Sequence, residues 1–168
     1  MKLLACLLLA LLCSCPYRLV KENTAPLPSR LQSLSVPLAR NQTIEAGLED
    51  VFTQALIQRL RSDGRATVLP VGKAEAELRC KLKSLDTRTT AYTREGRTGA
   101  ESVTVTVECG LVAPGSGSVA WSSGELVADE EYPVGDNYLQ NEQARAAALR
   151  QVCARIADTV RALLLDPF

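Results

Sequence analysis

The sequence predicts an α+β fold, a two-layer sandwich in which a mixed sheet of four to five strands carries two helices packed on one face. Three observations predict it. Two stretches repeat apolar residues at three- and four-residue spacing, two others alternate apolar and polar residues, and a strand, helix, strand order opens the domain. Helices with a single apolar stripe and strands with a single apolar face bury both most simply against each other.

In chain order, Leu34, Val36 and Leu38 alternate with Ser33, Ser35 and Pro37, the period of a half-buried strand whose proline marks an edge or an end. Leu48, Val51, Phe52, Ala55, Leu56 and Leu60 then recur at helical spacing. With Thr43 as the cap and Asp63-Gly64 as the stop, a helix is expected over residues 44–62. Val68, Leu69 and Val71 supply a short second strand. Joined by the helix, the two strands should be parallel if adjacent, with a right-handed crossover.

From Glu75 the period becomes two. Leu78, Cys80 and Leu82 alternate with Arg79, Lys81 and Lys83; Val103, Val105, Val107, Cys109 and Leu111 alternate with Thr104, Thr106 and Glu108. The glycines of Arg94-Glu95-Gly96-Arg97-Thr98-Gly99 offer a turn, so these segments should pair as a long antiparallel hairpin with one apolar and one polar face. Pro114-Gly115-Ser116-Gly117-Ser118 is a second turn. Val119 to Trp121 follow as a last strand, with Leu126 to Val127 as its extension. Leu149, Val152, Cys153, Ile156, Val160, Leu163 and Leu164 form one stripe on a closing helix from Tyr138 to Leu165, ended by Asp166-Pro167.

Ahead of this domain, Lys2 precedes an apolar run, Leu3 to Leu12, that is too short to cross a bilayer and has the character of an export signal. It ends at Leu12-Cys13-Ser14-Cys15, which is similar to the bacterial lipobox: an apolar residue, a spacer, a small residue, then the cysteine whose thiol takes a diacylglyceryl thioether. Cys13 is the weaker candidate because bulky Leu12 precedes it. Residues 1–14 are therefore expected to be a lipoprotein signal peptide and Cys15 the lipid attachment site, anchoring the protein to a membrane without spanning it. Pro16 stands where an aspartate would mark inner-membrane retention, which favours the outer membrane. Residues 15–30, proline-rich and without an apolar period, read as an extended tether, and residues 31–168 as a single α/β domain.

Removing 14 of 168 residues leaves 154, enough chain for one domain with a sizeable core. Loss of Lys2 takes Lys+Arg from 19 to 18 against 19 Asp+Glu, so the mature net charge is near zero and no nucleic-acid partner is expected. The sequence has no histidine. That removes the commonest general base, the commonest zinc ligand and every Ser/His/Asp or Cys/His arrangement. Neither an enzyme nor a cofactor or metal site is expected.

Of six cysteines, Cys80, Cys109 and Cys153 belong to the folded domain, an odd number that permits at most one internal disulfide. Cys80 and Cys109 share the apolar phase of the hairpin and lie nearly opposite. A cross-strand disulfide and a pair of buried core thiols both fit, and Cys153 faces the same layer. Asp129-Glu130-Glu131, with Asp136, lacks the ordered spacing of a calcium loop and reads as a solvated loop. Gly96-Arg97-Thr98-Gly99 lacks the lysine of a phosphate loop and reads as a turn. Arg88, Arg94 and Arg97 gather on the outer half of the hairpin, with Lys81 and Lys83 nearer its base. Guanidinium forks match phosphate geometry, so this row can meet phosphorylated sugars; the same charges also keep a long hairpin soluble and block edge pairing.

Four stretches in order carry a family resemblance: Cys15-Pro16-Tyr17-Arg18-Leu19; Val36-Pro37 with Asn41 and Thr43; Asp63-Gly64-Arg65; and Glu131-Tyr132-Pro133-Val134-Gly135. Together they resemble the LptE family of lipopolysaccharide-assembly lipoproteins, apart from Pro16, where that family usually has glycine. The resemblance implies a periplasm-facing outer-membrane lipoprotein that plugs a large LptD-type β-barrel, binds lipopolysaccharide and helps deliver it to the outer leaflet. It implies lipopolysaccharide contacts among the hairpin cations, for which Lys81, Lys83, Arg88, Arg94 and Arg97 are the candidates. The rival reading from the same architecture is a lipoprotein that activates a cell-wall synthase or forms a secretion assembly, since those families share the strand, Asn-x-Thr, helix opening.

Overall fold

The alternating segments become three long strands of one sheet in the computed structural model, which describes residues 31–113 and 117–166. The expected signal peptide, Cys15 and the tether lie outside the described residues, as do Pro114, Gly115 and Ser116 of the second expected turn. The elements are β1 (Ser33–Ser35), β2 (Arg40–Asn41), α1 (Leu48–Asp63), β3 (Thr67–Val68), β4 (Ala76–Tyr92), β5 (Thr98–Val112), β6 (Val119–Pro133) and α2 (Tyr138–Leu165). The sheet order is β3-β1-β4-β5-β6, with β2 also beside β4. β1 pairs in parallel with β3 and β4, while β4, β5 and β6 are antiparallel, so the sheet is mixed. The two helices pack on each other and on the sheet. This is the α+β sandwich expected.

The core lies between the layers. Leu34, Phe52, Leu56, Leu78, Leu82, Val103, Val105, Val107, Val152 and Ile156 are buried almost completely, and they are the residues that the two periodicities single out. Cys80 and Cys109 are direct cross-strand partners joined by a disulfide, with S–S 2.05 Å. Cys153 stays a buried free thiol on α2.

Four expectations need correction. Thr43 caps no helix, because α1 begins four residues later, at Leu48 behind Gly47. Asn41 has captured the intervening segment: its side-chain oxygen accepts from the Thr43 N–H (2.9 Å) and hydroxyl (2.8 Å), and its amide donates to the Glu45 carbonyl (2.7 Å). Such a side-chain turn outcompetes helical hydrogen bonding. The first strand stops at Ser35, since Pro37 cannot donate to a neighbour, and Leu38 is exposed. Val71 lies beyond β3 and is also exposed.

The fourth correction concerns Asp129-Glu130-Glu131, which lie in β6 rather than in a loop. A bulge at Ser123-Gly124 lets the strand continue past Trp121: Gly110 pairs with Ser122 but Glu108 with Glu125, and the Cys109 N–H turns to the Ser123 hydroxyl at 2.9 Å. Gly124 adopts φ +64°, a conformation that favours glycine. The acidic run then alternates normally, with Leu126, Ala128 and Tyr132 in the core cluster.

β4 runs from a base, where β1 also starts, to the hairpin turn at its tip, about 50 Å at ~3.3 Å per residue. α2 returns from the tip to the base, and α1 ends beside it there. α1 has 16 residues and α2 28, so α2 is about 18 Å longer at ~1.5 Å per residue.

Candidate functional site

The sheet face away from the helices collects the outward phase of every long strand. On β4 it presents Glu77, Arg79, Lys81, Ser84, Asp86 and Arg88, beside Arg40 of β2, which pairs with Lys81. On β5 it presents Ser102, Thr104, Thr106 and Glu108, and on β6 Glu125, Val127, Asp129 and Glu131. The face thus carries cations interspersed with Glu77 and Asp86 along β4, where Glu77 holds Arg79 at 2.7 Å, and is hydroxylated along β5 and acidic along β6. Among these outward positions Val127 is the large apolar side chain, and it is exposed.

The five candidate cations do not form one cluster. From Lys81 to Arg94 the strand climbs about 40 Å. Lys81 faces Glu108 across the β4–β5 pair. Lys83 occupies a bulge between Leu82 and Ser84, and its ammonium reaches over β5 to donate to Glu125, with Glu108 at 4.0 Å. That pairing raises the lysine's pKa. Arg88 lies opposite Ser102, and Arg94 stands in the hairpin turn, which the Thr93 N–H closes onto the Arg97 carbonyl at 2.8 Å. Arg97 pairs with Asp136 just ahead of α2. Among the described residues Lys81, Arg88 and Arg94 have no ion pair, so two of the five charges are already answered within the domain.

Toward the tip, the helix-facing side becomes polar. Tyr132 donates to Glu101 at 2.6 Å, and burial followed by this bond pushes the phenol up to about 12. Arg145 of α2 holds Glu45 through two bonds, of 3.0 and 2.8 Å, and lowers that carboxyl's pKa. Arg155 grips Glu130 and the Asp129 carbonyl, the latter at 2.6 Å. The Arg155 contacts seat α2 on β6 and explain why an acidic run tolerates a strand. None of them pairs a nucleophile with a base. Among the described residues no group of His, Cys, Asp and Glu is arranged to hold a metal, and no helix is long and apolar enough to cross a membrane.

The geometry is that of a binding and docking domain, and a family model for lipopolysaccharide assembly, LptE, matches residues 31–164, the whole domain except its last residues. The chain belongs to the LptE family. It is accordingly a non-enzymatic, lipid-anchored outer-membrane lipoprotein whose domain faces the periplasm. Two solved structures share its fold. The rare lipoprotein B of Shewanella oneidensis is 17% identical with TM-score 0.55, covering 79% of this chain and 94% of its own. A protein of Xanthomonas campestris is 15% identical with TM-score 0.56, covering 84% and 90% respectively. No curated protein matches by sequence.

Sequence reasoning found the basic row but missed its acidic counterpart on β6, because Gly124 interrupts the alternation that would reveal that strand. It also missed the apolar company of the tip arginines. Tyr92, Tyr138 and Leu139 are each more than 60% exposed.

Proposed function

We propose that this protein assists lipopolysaccharide assembly at the cell surface by binding lipopolysaccharide and plugging an LptD-type β-barrel. Membership of the LptE family over residues 31–164 carries the reading. The charged, hydroxyl-rich sheet face supports it, since the lumen of a large barrel is lined by polar side chains and a plug must offer such a wall a polar surface. Cys15, as the lipid attachment site, would hold the domain beside the membrane and raise the effective concentration of a barrel partner. Lys81, Arg88 and Arg94, with Lys83 and Arg97 in paired form, are the cations available to phosphates.

The test is co-purification of the full chain after mild detergent extraction. A large barrel protein should come down with it, and depletion should remove lipopolysaccharide from the surface. Recovery of a penicillin-binding protein without a barrel would replace this reading by the cell-wall synthase activator. Assembly of the chain into a large secretion complex would replace it by the other rival.

A further inference from the structure

From Asp86 to Tyr92 every residue of β4 is exposed, although β5 stays paired with the strand up to Tyr92. β1 and β2 flank the opposite edge of β4 only as far as Leu82, so above that point the edge has no neighbour among the described residues. The other long edge, on β6, is guarded against further pairing by the bulge at Gly124, by Asp129, Glu130 and Glu131, and by the closing Pro133. Upper β4 has no such guard. Thr87, Thr89, Thr90 and Tyr92 favour strands, the stretch holds neither proline nor glycine, and its two charges, Asp86 and Arg88, are of opposite sign.

Strand pairing tells which backbone groups this edge offers. The Cys109 N–H turns toward β6, and backbone direction alternates along a strand, so Val105, Val103 and Glu101 direct theirs toward β6 as well. Their partners on β4, which are Leu85, Thr87 and Thr89, therefore point N–H and C=O at the open edge. Lower on the same edge the Leu82 carbonyl accepts from the Gln42 N–H at 2.9 Å, in keeping with that phase. Asp86 and Arg88 flank Thr87 on the sheet face away from the helices. The acids nearest Arg88 on that face are Asp86, two residues back, and Glu131, two strands away through Ser102. Among the described residues neither Asp86 nor Arg88 has an ion pair.

We propose that the upper edge of β4 pairs with the same edge of a second copy, antiparallel about a two-fold axis at Thr87. The inference goes beyond the function proposed above and concerns the chain free of a barrel. Charge selects the register. With Thr87 opposite Thr87, Asp86 of each copy faces Arg88 of the other. The two Thr87 residues exchange backbone hydrogen bonds, as do Leu85 and Thr89, so the Asp86–Arg88 pairs fall at the intervening positions, where opposed Cα atoms are closest, about 4.5 Å. An axis at Asp86 or at Arg88 would instead set like charges opposite each other. Length agrees with charge. The open edge runs from beyond Leu82 to Tyr92, and an axis at Thr87 ends each Tyr92 level with the other copy's Leu82, where β2 takes up the edge. That junction brings Tyr92, 69% exposed, toward the turn after β2 that carries Ile44, 99% exposed. A two-fold contact of this kind closes on itself and leaves neither upper edge open. The two bases lie at opposite ends of the pair, and tethers of residues 15–30, about 50 Å when extended, would let it lie along one membrane.

The experiment measures the mass of the full chain by sedimentation equilibrium in excess detergent, over about 1–100 μM protein. The variants are Asp86→Arg, Arg88→Asp, the exchange Asp86→Arg/Arg88→Asp, and Thr87→Pro, each with a thermal melt to show that it is folded. Proline at position 87 takes no hydrogen bond from β5, because the Thr87 N–H faces the open edge. The parent should dimerise within this range. Each single reversal sets two like-charged pairs across the axis and should weaken the dimer about tenfold or more, the exchange should restore it to within about threefold, and T87P should abolish it. A parent that stays monomeric throughout would overturn the pairing. Dimers that persist in folded T87P would overturn β4 as the contact. Single reversals that dimerise like the parent, or an exchange that restores nothing, would overturn the register.

Discussion

Asp63 and Arg161, 98 residues apart in sequence, meet at 2.7 Å where the two helices end. Asp63 is also held by Arg65 at 2.6 Å, and Arg65 reaches on to the Leu165 carbonyl at 2.6 Å and to Asp166 at 2.7 Å. The Asp63-Gly64-Arg65 sequence is therefore a clasp. Gly64 turns the chain at φ +76° so that two oppositely charged neighbours of the turn can grasp the end of α2.

Asp63 should make the fold acid-sensitive. The Arg65 bond above all, then the Arg161 bond, holds its carboxyl far below the usual carboxylate range. A depressed folded pKa means that ionised Asp63 stabilises the fold at every pH above the ordinary value near 3.9, and that this stabilisation is lost as pH falls from there toward the folded value. Asp63→Ala should cost about 2 kcal/mol at pH 7, the scale of hydrogen bonds to a charged group. Urea melts at pH 7 and pH 3 check both points, since the variant should show a smaller loss between the two than the parent.

The disulfide should contribute more than the clasp. Cys80 and Cys109 are 29 residues apart, and closing a loop of that size restricts the unfolded chain by about 3.5 kcal/mol in the chain-entropy treatment. Cys80→Ala/Cys109→Ala should lower stability by roughly that amount while keeping the fold, because both side chains are small and already behave as part of the core. Denaturant unfolding with and without reductant measures it: reductant should destabilise the parent and leave the double variant unchanged.

Much of this architecture is legible in the sequence because burial writes its own period. The stripe on α2 and the alternation of Val103 to Leu111 needed nothing further, and both coincide with buried residues. Elements ruled by particular side-chain bonds were not legible. Asn41 delays α1 by taking the hydrogen bonds that Thr43 was expected to use. β6 hides behind the bulge at Gly124, and its acids look like loop residues until Arg155 of α2 is placed over Glu130. The cations of the hairpin were visible as residues, but their division into paired Lys83 and Arg97 and unpaired Lys81, Arg88 and Arg94 depends on acids 25 to 42 positions away. The exposure of Tyr92, Tyr138 and Leu139 gave no sequence signal.

Cys153 should be inert in the folded protein. Burial alone pushes its thiol up to about 12, and it sits within the core cluster on α2. The thiolate is the reactive species, so a group that is both neutral and inaccessible reacts only through unfolding. A maleimide reagent at pH 7.5 should leave the native chain of residues 31–168 unlabelled and should label one site after denaturation without reductant. Native labelling on the minute timescale would show that α2 opens locally.

Gly124 should be the most sensitive point of β6. Nothing crowds the place of a Cβ there, so the cost of a side chain comes from backbone conformation rather than from collision. Gly124→Ala forces an L-residue to φ +64°, at about 1 kcal/mol or more. The bulge also positions the Ser123 hydroxyl under the Cys109 N–H, so strain released by local rearrangement should first appear as faster hydrogen exchange at Cys109. Residues of β6 beyond the bulge, from Leu126 to Tyr132, pair in unbroken register with β5 and should keep their protection. Exchange measured residue by residue on parent and variant distinguishes this local loosening from a uniform loss of stability, which would mean that the bulge organises the whole strand.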